Sequence, residues 1–392
     1  MSPNPYIKSY LMTAGPTPIP PQVSQVMAEP VLYHRAPAFV KLYERVLDKL
    51  GHVFQTGNDV LAFSASGSGA MESAVANLTR PGVPVLVCAA GKFGERWIEL
   101  CEAYGARVVT HAPAWGQRLD PAEIDCLLAD NADIEAVFAT LSETSTGVVH
   151  DVRAIAEVAR RHDCLLAVDA VSGLGAAELR QDAWGIDVVV AGSQKALMCP
   201  PGLAFASVSQ RALDYAAEHP GGRYYFDWAR TAKGQRKDPP DSPFTPPVTL
   251  FAALDVALDM IEREGLDEVL ARHDLLARAT RAGVAAAGLE LFGDPDERST
   301  VVTALELPAD VDGGKVPGVL RRLGITANGG QNQVKGRILR IAHCGYFGAF
   351  DILTSLSSLE LALHQLGHSV EHGAAAGAAQ RVLVEAGVPA AA

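Results

Sequence analysis

Long apolar runs are scarce in this chain of 392 residues. No uninterrupted stretch reaches the roughly 18 to 20 residues that a membrane-spanning helix requires, so a soluble protein is expected. Basic runs are absent too, and the formal net charge is −12, which argues against nucleic acid or an anionic membrane surface as the main partner and for a small-molecule substrate. Cysteine is sparse: the six residues Cys88, Cys101, Cys126, Cys164, Cys199 and Cys344 are scattered without a CxxC pair. The opening MSPNPYIKSYLMTAGP has no basic segment followed by an apolar stretch. Both features predict reduced thiols in the cytoplasm. Internal repeats are also missing. What is present is core material: with 48% hydrophobic and 20% charged residues, the chain can bury one large domain and a smaller one.

After a proline-rich arm (Gly15 to Pro21), short apolar runs alternate with segments of helical period. VLAFSAS precedes a helix from Ala70, and VPVLVCA precedes a helix from Glu95. ARVVTHA, EAVFATLSE, CLLAVDA and DVVVAGSQ continue the pattern. Runs this short and continuous predict buried strands of a parallel α/β sheet. From about 220 to 247 the periodicity stops, and GGRYYFDWARTAKGQRKDPPDSPFTPPV reads as a long functional or interfacial loop. A helix is expected from about Leu250 to Glu264, then a smaller α+β domain with STVVTALELP and GRILRIAHCG as strands. The predicted division is an arm at 1–20, a large domain at 21–265, a small C-terminal domain at 266–375 and a low-complexity tail at 376–392 that contributes little core.

Four elements carry chemistry. In AGSQKALMCPPG, Lys195 lies just beyond the carboxyl end of a strand, where open α/β sheets bind ligands. An amine that attacks a carbonyl must be deprotonated, and the apolar neighbours Ala191, Gly192, Ala196, Leu197 and Met198 supply a dry site that lowers its pKa. Asp169 ends the apolar strand CLLAVDA, 26 residues upstream. A carboxylate there is costly unless it meets a cation, and the protonated ring nitrogen of pyridoxal 5'-phosphate (PLP) is such a cation. The turn SASGSGAMES opens a helix whose backbone N–H groups, with the hydroxyls of Ser66 and Ser68 flanking Gly67, suit a single terminal phosphate. It lacks the lysine of a P-loop and the third glycine of a dinucleotide fingerprint. Arg340, inside the apolar strand GRILRIAHCG, needs an anion, and its planar fork matches a substrate carboxylate.

The order phosphate loop, Asp, Lys resembles the class V (fold type I) PLP-dependent aminotransferases, most closely the alanine/serine:glyoxylate branch. The resemblance runs from AGPTPIP to LRIAHCG and is most specific at ETSTGVVHD, VDAVSGLGA and AGSQKAL with the following PPG. It implies a mainly parallel seven-stranded sheet in the large domain, a smaller α+β C-terminal domain, PLP as cofactor with Lys195 as its carrier, and a homodimer with shared active sites. It implies that Phe93 in GKFGER stacks on the cofactor ring, that Thr144 bonds near the ring's phenolic oxygen, and that Gln194 helps hold the phosphate. Ala14 and Gly15 would line the substrate side through their backbone, and Thr245 in FTPPV would reach the partner's phosphate. Ser242 stands where some relatives have a tyrosine.

The substrates implied are an amino acid, alanine or serine, and a 2-oxo acid, glyoxylate or pyruvate. Aspartate or an aminophosphonate remains an alternative donor, because Arg35, Arg223 or Arg337 could supply a second anion site. A PLP-dependent lyase or cysteine desulfurase would need a nucleophilic cysteine in TANGGQNQVKG, which has none, and Cys344 does not resemble one. A non-catalytic subunit of a complex would have no reason to keep Lys195, Asp169 and Arg340 together. His364, His368 and His372 share a helical face, but no second ligand cluster accompanies them and no metal site is expected. His34 and Arg35, in LYHRAP, are candidates to approach the site across the dimer and are not counted among the site residues.

Overall fold

Seven short strands build the central sheet: β1 (Asp59–Phe63), β2 (Pro84–Cys88), β3 (Arg107–His111), β4 (Ala136–Thr140), β5 (Leu165–Asp169), β6 (Val188–Gly192) and β7 (Ala204–Val208). In this computed structural model, which describes residues 7–387, their order is β1-β7-β6-β5-β4-β2-β3. β7 runs antiparallel to both β1 and β6, and the remaining pairs are parallel. Helices cover both faces, so successive residues of one strand enter different cores. Val137 and Ala139 of β4 join one cluster with Phe39, Val46 and Phe251, while Ala136 and Phe138 join another with Met71 and Trp97. Burial on both faces explains why these strands read as unbroken apolar runs.

The expectation of uniformly buried strands needs one correction. β3 is the sheet's edge, and its Arg107 and Thr110 face solvent, because a terminal strand has one neighbour instead of two. The stretch 220–247 also departs from the long loop expected of it. Trp228–Gln235 is a helix, capped by Asp227 Oδ1 accepting from the Arg230 N–H at 3.0 Å and anchored by the fully buried Trp228. β7, within GLAFASVS, is the one central strand that the apolar-run reading passed over.

The helix Val248–Glu264 ends at Gly265, whose φ of +87° suits glycine, and the helix Leu266–Ala286 follows directly. Beyond it a three-stranded antiparallel sheet is ordered Val302–Glu306, Ile338–Ala342, Asn328–Gly329. It packs with the helices Leu266–Ala286 and Ala349–Gln365 around Leu276, Ile341, Leu356 and Leu359. The opening arm belongs to this smaller unit: Tyr10–Leu11 pairs in parallel with Ile325–Thr326, and Met12 and Ala14 enter its core.

The expected low-complexity tail is corrected by a helix, Ala374–Glu385. Alanine is the strongest helix former, and its small side chains let this helix lie close against Leu266–Ala286, where Ala375, Ala379 and Leu383 join the core. One buried leucine of this kind contributes about 1.5–3 kcal/mol. The last part of that tail, 388–392, lies outside the described residues.

Candidate active site

β5 and β6 are parallel neighbours, so their carboxyl ends open on the same side of the sheet. Asp169 is the last residue of β5, and Lys195 follows β6 by three residues. Both side chains are buried. Asp169 Oδ1 accepts the Val171 N–H at 2.8 Å. Burial pushes the carboxyl up to about 6, and Glu143 adds to the rise, against the pull of that bond and of Lys195 and Arg96. The Lys195 amine is pushed down by burial, with Arg340 and Arg96 adding to the effect. The amine donates to the Ala14 carbonyl at 2.5 Å. The arm is also stitched to the lysine segment by Thr17, whose N–H donates to Gln194 O at 3.1 Å and whose hydroxyl donates to Lys195 O at 2.9 Å. At Gly15 a β-carbon would collide with the Lys195 side chain, and φ is +147°.

The helix Gly67–Leu78 begins at the rim of the same cleft. Ser66 is its N-cap, yet no side chain caps the helix, which leaves the Gly67 and Ser68 N–H groups without an intrahelical acceptor. A side chain at Gly67 would run into Val171. Gln194 Oε1 is buried nearby without a partner. From the facing helix Lys92–Ala103 come Phe93 and Arg96. Arg96 donates to Ser68 Oγ at 3.0 Å, and its guanidinium carbon lies 5.0 Å from the Phe93 ring centre.

Glu143, fully buried, organises the opposite wall. Its Oε2 accepts the N–H groups of Phe93 and Gly94, both at 3.0 Å, and its Oε1 accepts the Ser145 N–H at 3.1 Å and the Ser145 hydroxyl at 2.6 Å. The carboxylate thus caps the helix that carries Phe93 from 50 residues away in sequence. Thr144, next to it, gives its carbonyl to Arg340 Nη1 at 2.8 Å, while Arg340 Nε donates to Gly329 O at 3.0 Å. Arg340 is buried and forms no ion pair among the described residues; burial lowers its pKa to about 10, with Glu143 opposing. A guanidinium in this position lacks its anion.

The residues singled out from sequence divide accordingly. Gly15, Ser66, Gly67, Ser68, Phe93, Asp169, Gln194 and Lys195 line one cleft of about 270 Å³. Thr144 and Arg340 are bonded to each other. Thr245 does not join them within this chain: it is exposed and lines a separate pocket with Tyr43, Phe63 and Ser242. The three arginines weighed as a second anion site are engaged elsewhere. Arg35 pairs with Asp241 at 3.3 Å, Arg337 pairs with Glu306 at 2.6 Å, and Arg223 donates to the carbonyls of Ala216, Ala76 and His219. Sequence reasoning missed Glu143, Arg96, Thr17 and the Ala14 carbonyl as an acceptor. Glu143 sits inside the motif ETSTGVVHD, but its partners are distant backbone groups that no local spacing reveals.

The sequence profile of the family "Aminotransferase class-V" matches residues 9–344. This chain belongs to that family. Among the relatives of this aminotransferase, a protein of Synechococcus sp. named "Soluble hydrogenase, small subunit" is 40% identical over 96% of this chain and 98% of its own. The serine–glyoxylate aminotransferase of Methylorubrum extorquens is 36% identical over 96% of each chain. The crystal structure of the ureidoglycine–glyoxylate aminotransferase of Bacillus subtilis superimposes with a TM-score of 0.91 at 32% identity, covering 96% of this chain and 98% of that one.

The cofactor of this aminotransferase family is PLP, and the residues present fit it. A buried amine of lowered pKa suits a carbonyl, and a buried carboxylate with one hydrogen bond suits a protonated ring nitrogen. A helix start with free N–H groups, flanked by the hydroxyls of Ser66 and Ser68, suits a phosphate. Cys344 does not offer desulfurase chemistry, since it is fully buried and its thiol is pushed up by burial to about 11.

Proposed function

We propose that this aminotransferase exchanges the amino group of a small amino acid, alanine or serine, with glyoxylate or pyruvate, acting in the cytoplasm as a homodimer with shared sites. The observation that carries the small-substrate reading is Arg340. It is buried with no anion and its charge bears on Lys195 in the cleft, whereas Arg35 and Arg337 are held in ion pairs and Arg223 spends its guanidinium on three backbone carbonyls elsewhere. A one-carboxylate substrate is matched by one such fork, and a dicarboxylate would need a second. The name of the Methylorubrum relative supports serine as donor and glyoxylate as acceptor. The dimer is supported by Thr245, which is exposed and lies outside its own cleft, and by the exposed apolar residues Val31, Tyr33 and Tyr224.

When bound, PLP supplies the carbonyl that takes up the amino group and a ring that accepts the electrons released at the α-carbon. Lys195 would hold it covalently, Asp169 would hold a positive charge on the ring nitrogen, and Ser66, Gly67, Ser68 and Gln194 would hold the phosphate. Arg340 binds the substrate carboxylate and so fixes the orientation of the α-carbon. The Lys195 amine, whose pKa burial lowers, takes the proton from that carbon and later gives it back. Ala14 O offers the free amine an acceptor when it is not bonded elsewhere. Phe93, set by the Glu143 cap, forms an apolar wall that excludes water.

The test is a single-turnover titration of the purified protein with alanine, serine and aspartate, following the visible absorbance of the bound cofactor. Rapid bleaching by alanine or serine and recovery with glyoxylate or pyruvate are expected. Bleaching by aspartate alone would overturn the small-donor reading.

A further inference from the structure

We infer that Arg96 is the same-subunit counter-ion of the phosphate held at the start of the helix Gly67–Leu78, a deeper reading that rests on this cleft being the PLP site. A phosphate monoester carries about −1.5 to −2 charge near neutral pH, and a helix N-terminus offers roughly half a positive charge. The hydroxyls of Ser66 and Ser68 and the amide of Gln194 add donors and no charge. The charged side chains lining the cleft are Asp169, Lys195 and Arg96. Lys195 is committed to the carbonyl end, which leaves Arg96 as the cation within reach of the phosphate end.

The geometry agrees. Arg96 Nη1 already donates to Ser68 Oγ at 3.0 Å, so its guanidinium is positioned at the phosphate end of the cleft. It has no ion pair among the described residues. The acidic neighbours on its own helix are taken: Lys92 pairs with Glu95 at 3.9 Å and with Glu99 at 2.8 Å. Glu72, on the phosphate-side helix, accepts from the Tyr104 hydroxyl at 3.0 Å. Asp169, the remaining acid of the cleft, feels the Arg96 charge but forms no ion pair with it, so the guanidinium, with one N–H on Ser68, keeps the fork that matches a phosphate with two parallel hydrogen bonds. The Phe93 ring beneath it, 5.0 Å from the guanidinium carbon, limits where that fork can swing.

The experiment measures binding of PLP and of pyridoxal, which lacks the phosphate, to the cofactor-free full-length protein, with inorganic phosphate as competitor. Wild type, R96Q and R96K are compared, with circular dichroism to confirm folding. Loss of a charge-assisted pair predicts PLP affinity about 10- to 100-fold weaker in R96Q. Pyridoxal affinity should stay within about twofold, phosphate should cease to compete, and R96K should recover part of the loss. Equal weakening for PLP and pyridoxal would overturn the inference, since Arg96 would then act through Phe93 or the fold. Unchanged binding would overturn it as well. So would tighter binding of both, which would mean that Arg96 occupies the place of the ring. A wild-type protein that binds neither compound would instead refute the reading of the cleft itself, whatever Arg96 does.

Discussion

Replacing Arg340 with methionine separates the carboxylate-binding claim from simple damage to the fold. Methionine keeps much of the length and apolar bulk but removes the fork and both backbone bonds, those to Thr144 O at 2.8 Å and Gly329 O at 3.0 Å. Two carbonyls that lose their donors cost about 1–3 kcal/mol each, so a lower unfolding midpoint is expected. The loss in catalysis should be larger. Truncating one partner of a buried charge pair costs roughly 2–5 kcal/mol, so kcat/KM for alanine should fall by about 30- to several-thousand-fold. The control is ethylamine, which has the amine and no carboxylate. Its slow reaction should keep the wild-type rate within about threefold, because it never used Arg340. The reasoning fails if alanine and ethylamine lose rate by the same factor, since Arg340 would then be shaping the cleft and not binding substrate.

Two further outcomes follow from the buried groups. Burial raises the Asp169 carboxyl from 3.8 to about 6 in the cofactor-free protein. A carboxyl raised in the folded state contributes stability that is complete below the unfolded pKa and is lost as pH rises through the folded value. The cofactor-free wild type should therefore lose roughly 3 kcal/mol from this group between about pH 4 and 6, and D169N should not. Thermal midpoints of both proteins across that range check this, and parallel curves would contradict it. For Gly15→Ala, the β-carbon enters the Lys195 side chain at a φ of +147°. PLP content after purification should drop severalfold, read by absorbance against protein concentration, and wild-type content would show that the arm can yield.

How far these features were legible in the sequence depends on whether their cause was local. Strand ends announce themselves: an apolar run stopping at Asp169 and another stopping before Lys195 placed both residues on one edge of a parallel sheet, and the fold then had to bring them together. The glycine-rich turn at Ser66–Ser68 was visible for the same reason. Glu143 was not, because its donors Phe93 N–H and Gly94 N–H come from a helix distant in sequence. Arg96 carries no local sign of a role, standing between Glu95 and Trp97 on a helix, and only the facing Ser68 gives it one. The helix Ala374–Glu385 was hidden by its composition, since an alanine-rich segment reads as simple sequence until a neighbouring helix lies near enough to use small side chains. Trp228, the largest residue in its stretch, was the available sign that 220–247 is more than a loop.

The central claim is that Lys195 carries the cofactor, and one measurement addresses it directly. The protein is incubated with PLP, reduced with borohydride, digested and examined by mass spectrometry. A phosphopyridoxyl group on the peptide containing Lys195, absent when Lys195 is replaced by alanine, is the result predicted. A modification on a different lysine, or none, would contradict the account.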